Sequence, residues 1–394
     1  MTQNLAIPEL NATQRWRSLI AVIGSVFGVG VSFGALVPLM SLILEQRGVD
    51  TALIGLNSSM FPLAVLLVTP FLPRLVARLG AMISILWGLV ITVVAILLLP
   101  VLPQLSAWFV LRFLIGAGMA IHWMVSETWM NMIASERTRA TIMGAYATVL
   151  AGGFALGPIL LQITGTEGWL PFAAAAVATA SSALPLLLGL GLAPLLSVQK
   201  GRSILRMMRL VPLGMAAALT GGLTDTGIIV LLPIYGLRIG FDEATAVLLL
   251  TVFIAGNVAL QIPIGWMADR ISRRGVLLAC AGIGVAGAVL LPFVLQQPVL
   301  LWSLLFIWGG TVFAFYTVGL SLVGQSIPSG QFAAANAAFI LLYESGSITG
   351  PAIGGAAMDL VGPHGLFGMV AVASLALILV ALMTPRPRAG QPPD

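Results

Sequence analysis

The sequence predicts an all-α membrane protein: twelve transmembrane helices in two six-helix pseudo-symmetric bundles. Three observations carry this. Of 394 residues, 59% are hydrophobic and 8% charged, with a mean hydropathy of +1.08, whereas a water-soluble globule needs about a quarter charged residues to face water. Twelve apolar segments follow one another, near 17–44, 52–72, 81–102, 107–133, 141–163, 170–196, 211–237, 244–267, 275–296, 299–323, 332–357 and 365–384. The chain is also one unit written twice. Gly265-Trp266-Met267-Ala268-Asp269-Arg270-Ile271-Ser272-Arg273-Arg274 has a worn copy in Pro73-Arg74-Leu75-Val76-Ala77-Arg78-Leu79-Gly80, with Asp269 and Ala77 192 residues apart. Gly346-x3-Gly350-Pro351 likewise echoes Gly153-x3-Gly157-Pro158, 193 residues earlier. Two related membrane halves imply a central pathway between them.

Each segment reaches the about 20 residues that cross about 30 Å of hydrocarbon as a helix. Strand alternation is absent, and backbone groups in lipid must be satisfied within each segment, so helices rather than a barrel are required. The first segment is too long for the core of a signal peptide and lacks a small-x-small cleavage site, so it is expected to be a retained helix. Cys280 is the one cysteine, which excludes an intrachain disulfide.

The net charge of +5 is topological. With the N-terminus in the cytoplasm, fifteen of the eighteen Lys and Arg residues fall in cytoplasmic segments, among them Arg15, Arg17, Arg74, Arg78, Lys200 and Arg386. Only Arg47 and Arg238 fall in opposite loops, and Arg112 lies within a helix. This bias places both termini in the cytoplasm of an inner-membrane protein and argues against a nucleic-acid partner. Residues 197–210 carry Lys200, Arg202, Arg206 and Arg209 without an acid. They read as a linker on the inner membrane surface, attracted to anionic headgroups by about 1 kcal/mol per basic residue. It separates bundles at 1–196 and 211–394. No loop is large enough for a soluble catalytic domain.

The loop motif after helix 8, Arg112-x3-Gly116-x-Gly118 in helix 4 and the Gly-Pro steps of helices 5 and 11 resemble the major facilitator superfamily over nearly the whole chain. Trp123-Met124-Val125-Ser126-Glu127-Thr128-Trp129-Met130-Asn131, followed by Arg137-x-Arg139, resembles its YcaD-like branch. The resemblance implies that helices 1, 4, 7 and 10 surround a central cavity. It also implies that Arg112 acts as a proton-transfer arginine, beside the plainer possibility that it ties helix 4 to helix 1 carbonyls.

The motif residues have a physical reading of their own. Gly265 allows close approach of a neighbouring helix, and Asp269 accepts charge-assisted bonds from Arg270 or Arg273. Gly265, Asp269, Arg270, Arg273 and Arg274 are thus expected to form an inner latch, or else a basic loop that serves topology alone. Ala77 replaces the acid in the first copy, so gating should be asymmetric. Gly157, Pro158, Gly350 and Pro351 predict bent, closely packed helices 5 and 11, because proline removes a helix hydrogen bond and small residues permit tight crossings.

Ionisable residues inside apolar helices are expensive and therefore functional candidates. Asp225, midway through helix 7 among Gly221, Gly222, Thr224, Thr226 and Gly227, is the preferred proton site, with a purely structural role as the alternative. Its glycines and threonines suit an opened or hydrated backbone. Glu344, Arg112 and His122 are the further proton-coupling candidates, His122 equally readable as a hydrogen-bonded interior histidine. Arg112, Gly116, Ala120, Trp123 and Glu127 share one face of helix 4. Glu127 is expected either to contact substrate or to pair with Arg137 or Arg139. Trp123, Glu127, Tyr235, Asn257 and Tyr316 are the cavity candidates. Trp129 is added for stacking, while Trp16, Trp108, Trp169 and Trp302 read as an interfacial belt.

No phosphate-binding loop, nucleophile-base cluster, metal-ligand pair or cofactor fingerprint occurs. The expectation is a monomeric secondary transporter, not an enzyme, without cofactor or metal. It would move a small organic solute by alternating access, with proton-coupled export or exchange. An uncoupled facilitator and a transporter-like receptor or assembly factor are the alternatives.

Overall fold

The computed structural model describes residues 11–133, 139–193, 210–327 and 332–384. Within them the chain forms α1 Ala12–Gln46, α2 Thr51–Leu79, α3 Ala81–Leu98, α4 Leu105–Ile133, α5 Arg139–Thr164 and α6 Leu170–Gly189. The second series is α7 Pro212–Arg238, α8 Glu243–Arg270, α9 Arg273–Phe293, α10 Pro298–Ser326, α11 Phe332–Val361 and α12 Gly365–Met383. Among the described residues, eleven are long and apolar enough to cross a membrane. The twelfth, α11, has 30 residues and is made more polar by Asn336, Glu344 and Asp359.

Helix ends follow local chemistry. Pro212 and Pro298 open α7 and α10, where a missing N–H costs nothing. Asp242 caps α8 by accepting from Thr245 N (3.3 Å), and Ser272 caps α9 by accepting from Gly275 N (3.2 Å). The motif described above is therefore the last turn of α8 and the first of α9, with only Ile271 and Ser272 between them. Within α2 the helix breaks at Ser59 and tightens into a 3₁₀ turn at Thr69–Phe71, beside Pro70 and Pro73, which lack the N–H that would continue it.

Contacts cluster into two units: Met1–Ile43 with Met60–Gln199, and Leu44–Ser59 with Lys200–Asp394. The same packing device recurs in each. In the first, a Cβ on α1 Gly30 would sit 2.8 Å from Leu150 O of α5, and one on α5 Gly153 would sit 2.5 Å from Phe27 O. In the second, side chains on α7 Gly222 and α11 Gly346 would run into Tyr343 O and Leu219 O. Likewise α4 Gly116 meets Phe61 of α2, and α10 Gly309 meets Phe253 of α8. Each pair of equivalent positions is separated by 192 or 193 residues. The sequence repeat is thus a repeat of backbone-to-backbone helix contacts, which only glycine allows. The tight packing expected of α5 and α11 is present, since Gly157 lies against Gly34 and Gly350 against Leu223.

In the second unit, Val211, Met215, Ala218, Val323, Ile327, Ala335, Ala338 and Phe339 form an apolar core where α7, α10 and α11 meet. Tyr316 and Tyr343 pack against it.

Candidate functional site

The second unit holds the most costly group of that core region. Asp225 is 1% exposed on α7. The hydroxyl of Tyr343, on α11, donates to its Oδ2 at 3.3 Å, while Oδ1 has no hydrogen-bond partner. Tyr343 is held in turn by Tyr316 of α10, edge to face at 4.9 Å, and Tyr316 by Phe339 at 5.3 Å. Gly222 brings the backbones together so that the short Asp225 side chain reaches Tyr343. The backbone around Asp225 is a continuous helix rather than an opened one: Thr224 returns its hydroxyl to Thr220 O (2.9 Å) and Gly221 O (3.2 Å). Of those glycines, Gly222 is there for packing. Glu344 is half-buried and, among the described residues, makes no hydrogen bond or ion pair. Buried Ser347 Oγ, one turn on, is unpartnered as well.

In the first unit, the helix-4 face grades from closed to open: Arg112 is 3% exposed and Ala120 0%, Trp123 is half-buried, and Glu127 is exposed. Trp123 meets Phe33 of α1 and Phe61 of α2 at 5.4 and 5.9 Å, and Phe33 meets Phe154 of α5 at 5.5 Å. Arg137 lies outside the described residues, as does the Arg139 side chain, so the pairing expected of Glu127 falls there too.

His122 lies behind that face, 0% exposed, with Nε2 3.2 Å from Ser25 Oγ of α1. Ser25 donates to Val22 O at 2.8 Å, so its oxygen is left to accept from Nε2–H. This arrangement joins α4 to α1 and leaves Nδ1 as a bare acceptor.

Several candidates occupy places other than those expected. Tyr235 is 1% exposed, bonded to His364 Nδ1 (3.2 Å) and packed edge to face with Phe367 (4.5 Å), which closes it off from any open cavity. Trp129 is 0% exposed and donates to Ser18 Oγ (2.9 Å). It is a core residue, not a stacking platform. Trp108, also 0% exposed, donates to Leu99 O and Leu102 O and packs on Phe172, so it is no belt residue. Asn257 joins a chain in which Gln261 Nε2 donates to Asn257 Oδ1 (2.5 Å) and Thr317 donates to Gln261 Oε1 (2.8 Å).

The motif at the α8–α9 turn is a local clamp. Arg273 pairs with Asp269 (3.0 Å) and donates to Ser321 O of α10 (2.8 Å). Arg274 donates to Thr384 O (2.7 Å) and to Ala381 O at the end of α12. Arg270 lies over the Trp266 ring at 4.4 Å. A Cβ on Gly265 would meet nothing within 4 Å, so close helix approach is not its reason here.

Sequence reasoning missed a clasp in the second unit. Arg238, at the end of α7, grips Glu45 with Nε (2.7 Å) and Nη2 (3.3 Å) and reaches Asp359 of α11 with Nη1 (3.2 Å). Asp359 also accepts from the N–H groups of Thr51 (3.3 Å) and Ala52 (2.9 Å), capping α2 in place of Asp50, whose side chain makes no cap bond. Gln46 bonds Glu243, and Ser59 bonds Ile348 O. The segment Leu44–Ser59 is thereby strapped along α11.

A profile of the Major Facilitator Superfamily matches residues 22–250 and, again, 214–394. The chain is 26% identical over 371 residues to the uncharacterized MFS-type transporter YfkF of Bacillus subtilis (strain 168), covering 93% of this chain and 94% of that one. It is 26% identical over 375 residues to the uncharacterized MFS-type transporter YcaD of Escherichia fergusonii, covering 94% and 96%. Among solved structures, a point mutant of the nucleoside transporter NupG superposes with a TM-score of 0.75 at 15% identity, over 94% of this chain and 99% of that one. A bacterial homolog of the human lysosomal transporter Spinster, inward-facing and unoccupied, gives 0.71 at 13%, over 95% of each. Fold, repeat and relatives agree: this chain is an integral membrane transporter, not an enzyme, and it belongs to the major facilitator superfamily.

Proposed function

We infer that the chain is a proton-coupled secondary transporter that exports or exchanges a small organic solute by alternating access. Its bundles are taken at 1–196 and 211–394, with a cytoplasmic linker at 197–210 and cytoplasmic termini in an inner membrane; residues 1–10, 194–209 and 385–394 lie outside the described residues. One observation carries the reading: a carboxyl group sealed within apolar helices, held by the Tyr343 hydroxyl and with its second oxygen, unpartnered among the described residues, open to carry a proton. A buried charge that serves only structure is costly unless fully paired, and Asp225 is not. Glu344, half-buried beside Tyr343, is a secondary acid on the same helix pair.

Counterflow into proteoliposomes loaded with candidate organic solutes tests the transport itself. Accelerated uptake of labelled solute against an equal internal pool is the expected result. Its absence across solute classes, with binding retained, would favour a receptor. The orientation has its own expected outcome: an impermeant reagent added outside labels a cysteine at Asp242 and spares one at Ser272.

The clasp ties the segment Leu44–Ser59 to α7 and α11 within the second unit. A bidentate arginine shared by two carboxylates holds more than an isolated surface pair, which contributes about 0–1 kcal/mol. Arg238→Ala is therefore expected to lengthen the distance between spin labels at Asp50 and Leu360 in part of the population. An unchanged distance distribution would mean that the clasp does not hold the segment.

A further inference from the structure

We propose that the first unit carries a binding site for an organic cation with an aromatic body, its ring received by Phe33, Phe61, Trp123 and Phe154 and its cationic nitrogen by Glu127. This rests on the transporter reading above and names the substrate class.

The four rings come from four helices, α1, α2, α4 and α5, and converge with centroid separations of 4.6 to 5.9 Å. A lipid-facing stripe would come from one helix. All four are half-buried, in contrast to Trp108, Trp129 and Phe172, which are 0 to 3% exposed. They form an accessible aromatic surface inside the unit. Trp123 adds an indole N–H without a partner.

The repeat argues that this surface is not a requirement of the fold. Shifted by 192 or 193 residues, Phe61 becomes Phe253, but Phe33 becomes Asp225, Trp123 becomes Tyr316 and Phe154 becomes Ser347. The second unit packs its helices through the same glycine contacts with rings at only two of the four positions, Phe253 and Tyr316. Only the first unit keeps the full aromatic set.

Glu127 supplies the charge. It follows Trp123 by four residues, one turn along the same face of α4, which puts the two side chains about 6 Å apart. Its side chain is exposed, at the open end of that face. Tyr146 of α5 lies within electrostatic reach of it, 3% exposed and with its hydroxyl unpartnered. An aromatic face beside a carboxylate attracts a cation through both the ring quadrupole and the charge. The Glu127 carboxylate repels an anion.

Equilibrium dialysis of purified protein with radiolabelled phenyltrimethylammonium tests this, with benzamide and benzoate as neutral and anionic competitors. Saturable cation binding is expected, displaced by unlabelled cation and untouched by benzoate. Glu127→Gln should weaken it about tenfold, and Trp123→Ala by a similar factor, while Trp123→Phe, which keeps a ring, stays within about threefold. Absence of saturable binding, displacement by benzoate, or binding indifferent to Glu127→Gln and Trp123→Ala would overturn the site. Because dialysis needs no flux, the two readings fail separately. Cation binding without counterflow of any solute keeps the site and removes the transport cycle. Counterflow of a solute without cation binding does the reverse.

Discussion

Asp225→Asn is expected to abolish pH-gradient-driven accumulation in proteoliposomes while leaving equilibrium exchange within about threefold of the parent protein. A proton gradient can drive a transporter only if protonation changes the relative stability of its conformational states. The substituted amide keeps the shape of the carboxyl group and accepts from the Tyr343 hydroxyl through its oxygen, so the α7–α11 contact survives. What it cannot do is gain or lose a proton. Tyr343→Phe removes the donor but leaves the acid, and should reduce accumulation without eliminating it. Glu344→Gln should give a smaller defect than Asp225→Asn. Full gradient-driven accumulation in Asp225→Asn would remove Asp225 as the coupling site.

The second large effect concerns helix packing. Gly346→Val and Gly222→Val are expected to lower the thermal unfolding temperature in detergent markedly and to abolish transport. A Cβ at Gly346 would run into Leu219 O and lie 2.7 Å from Leu223 N; at Gly222 it would run into Tyr343 O and lie 2.9 Å from Ser347 N. These obstacles are helix backbone, which cannot rotate aside as a side chain does, so α7 and α11 must separate. Overpacking costs about 1–3 kcal/mol where side chains can adjust, and more is expected here. Separation would also pull Tyr343 away from Asp225. Gly282→Ala, where an added Cβ meets nothing within 4 Å, is the control and should be neutral or slightly stabilising through helix propensity. Equal unfolding temperatures for Gly346→Val and Gly282→Ala would contradict the packing account.

The fold was legible because lipid imposes a length and a composition on every span, and because the Asp269 motif and the Gly-Pro steps repeat at one interval. That interval also relates Gly30 to Gly222 and Gly116 to Gly309. Those equivalences are not marked by a motif shared between the two copies, and they emerge only when the backbone each glycine touches is known. Asp225 stood out because a charge within an apolar run is rare. Its partner did not: nothing in the spacing of Tyr343 says that its hydroxyl turns towards a residue 118 positions earlier. The clasp was hidden for the same reason, since Arg238 and Glu45 lie 193 residues apart and loop charges report topology before they report pairing. Trp123 and Trp129 look alike in sequence. One is half-buried against Phe33 and Phe61, and the other spends its N–H on Ser18 in the core.

The central claim is that solute and proton move on one cycle. It is tested most directly by recording internal pH with a trapped dye while a transported solute is added to proteoliposomes holding the parent protein. With no imposed pH gradient and the membrane potential clamped, proton coupling predicts a solute-dependent pH change that is absent in Asp225→Asn vesicles. Solute flux with no pH change in the parent protein would contradict it, and would make the chain an uncoupled facilitator.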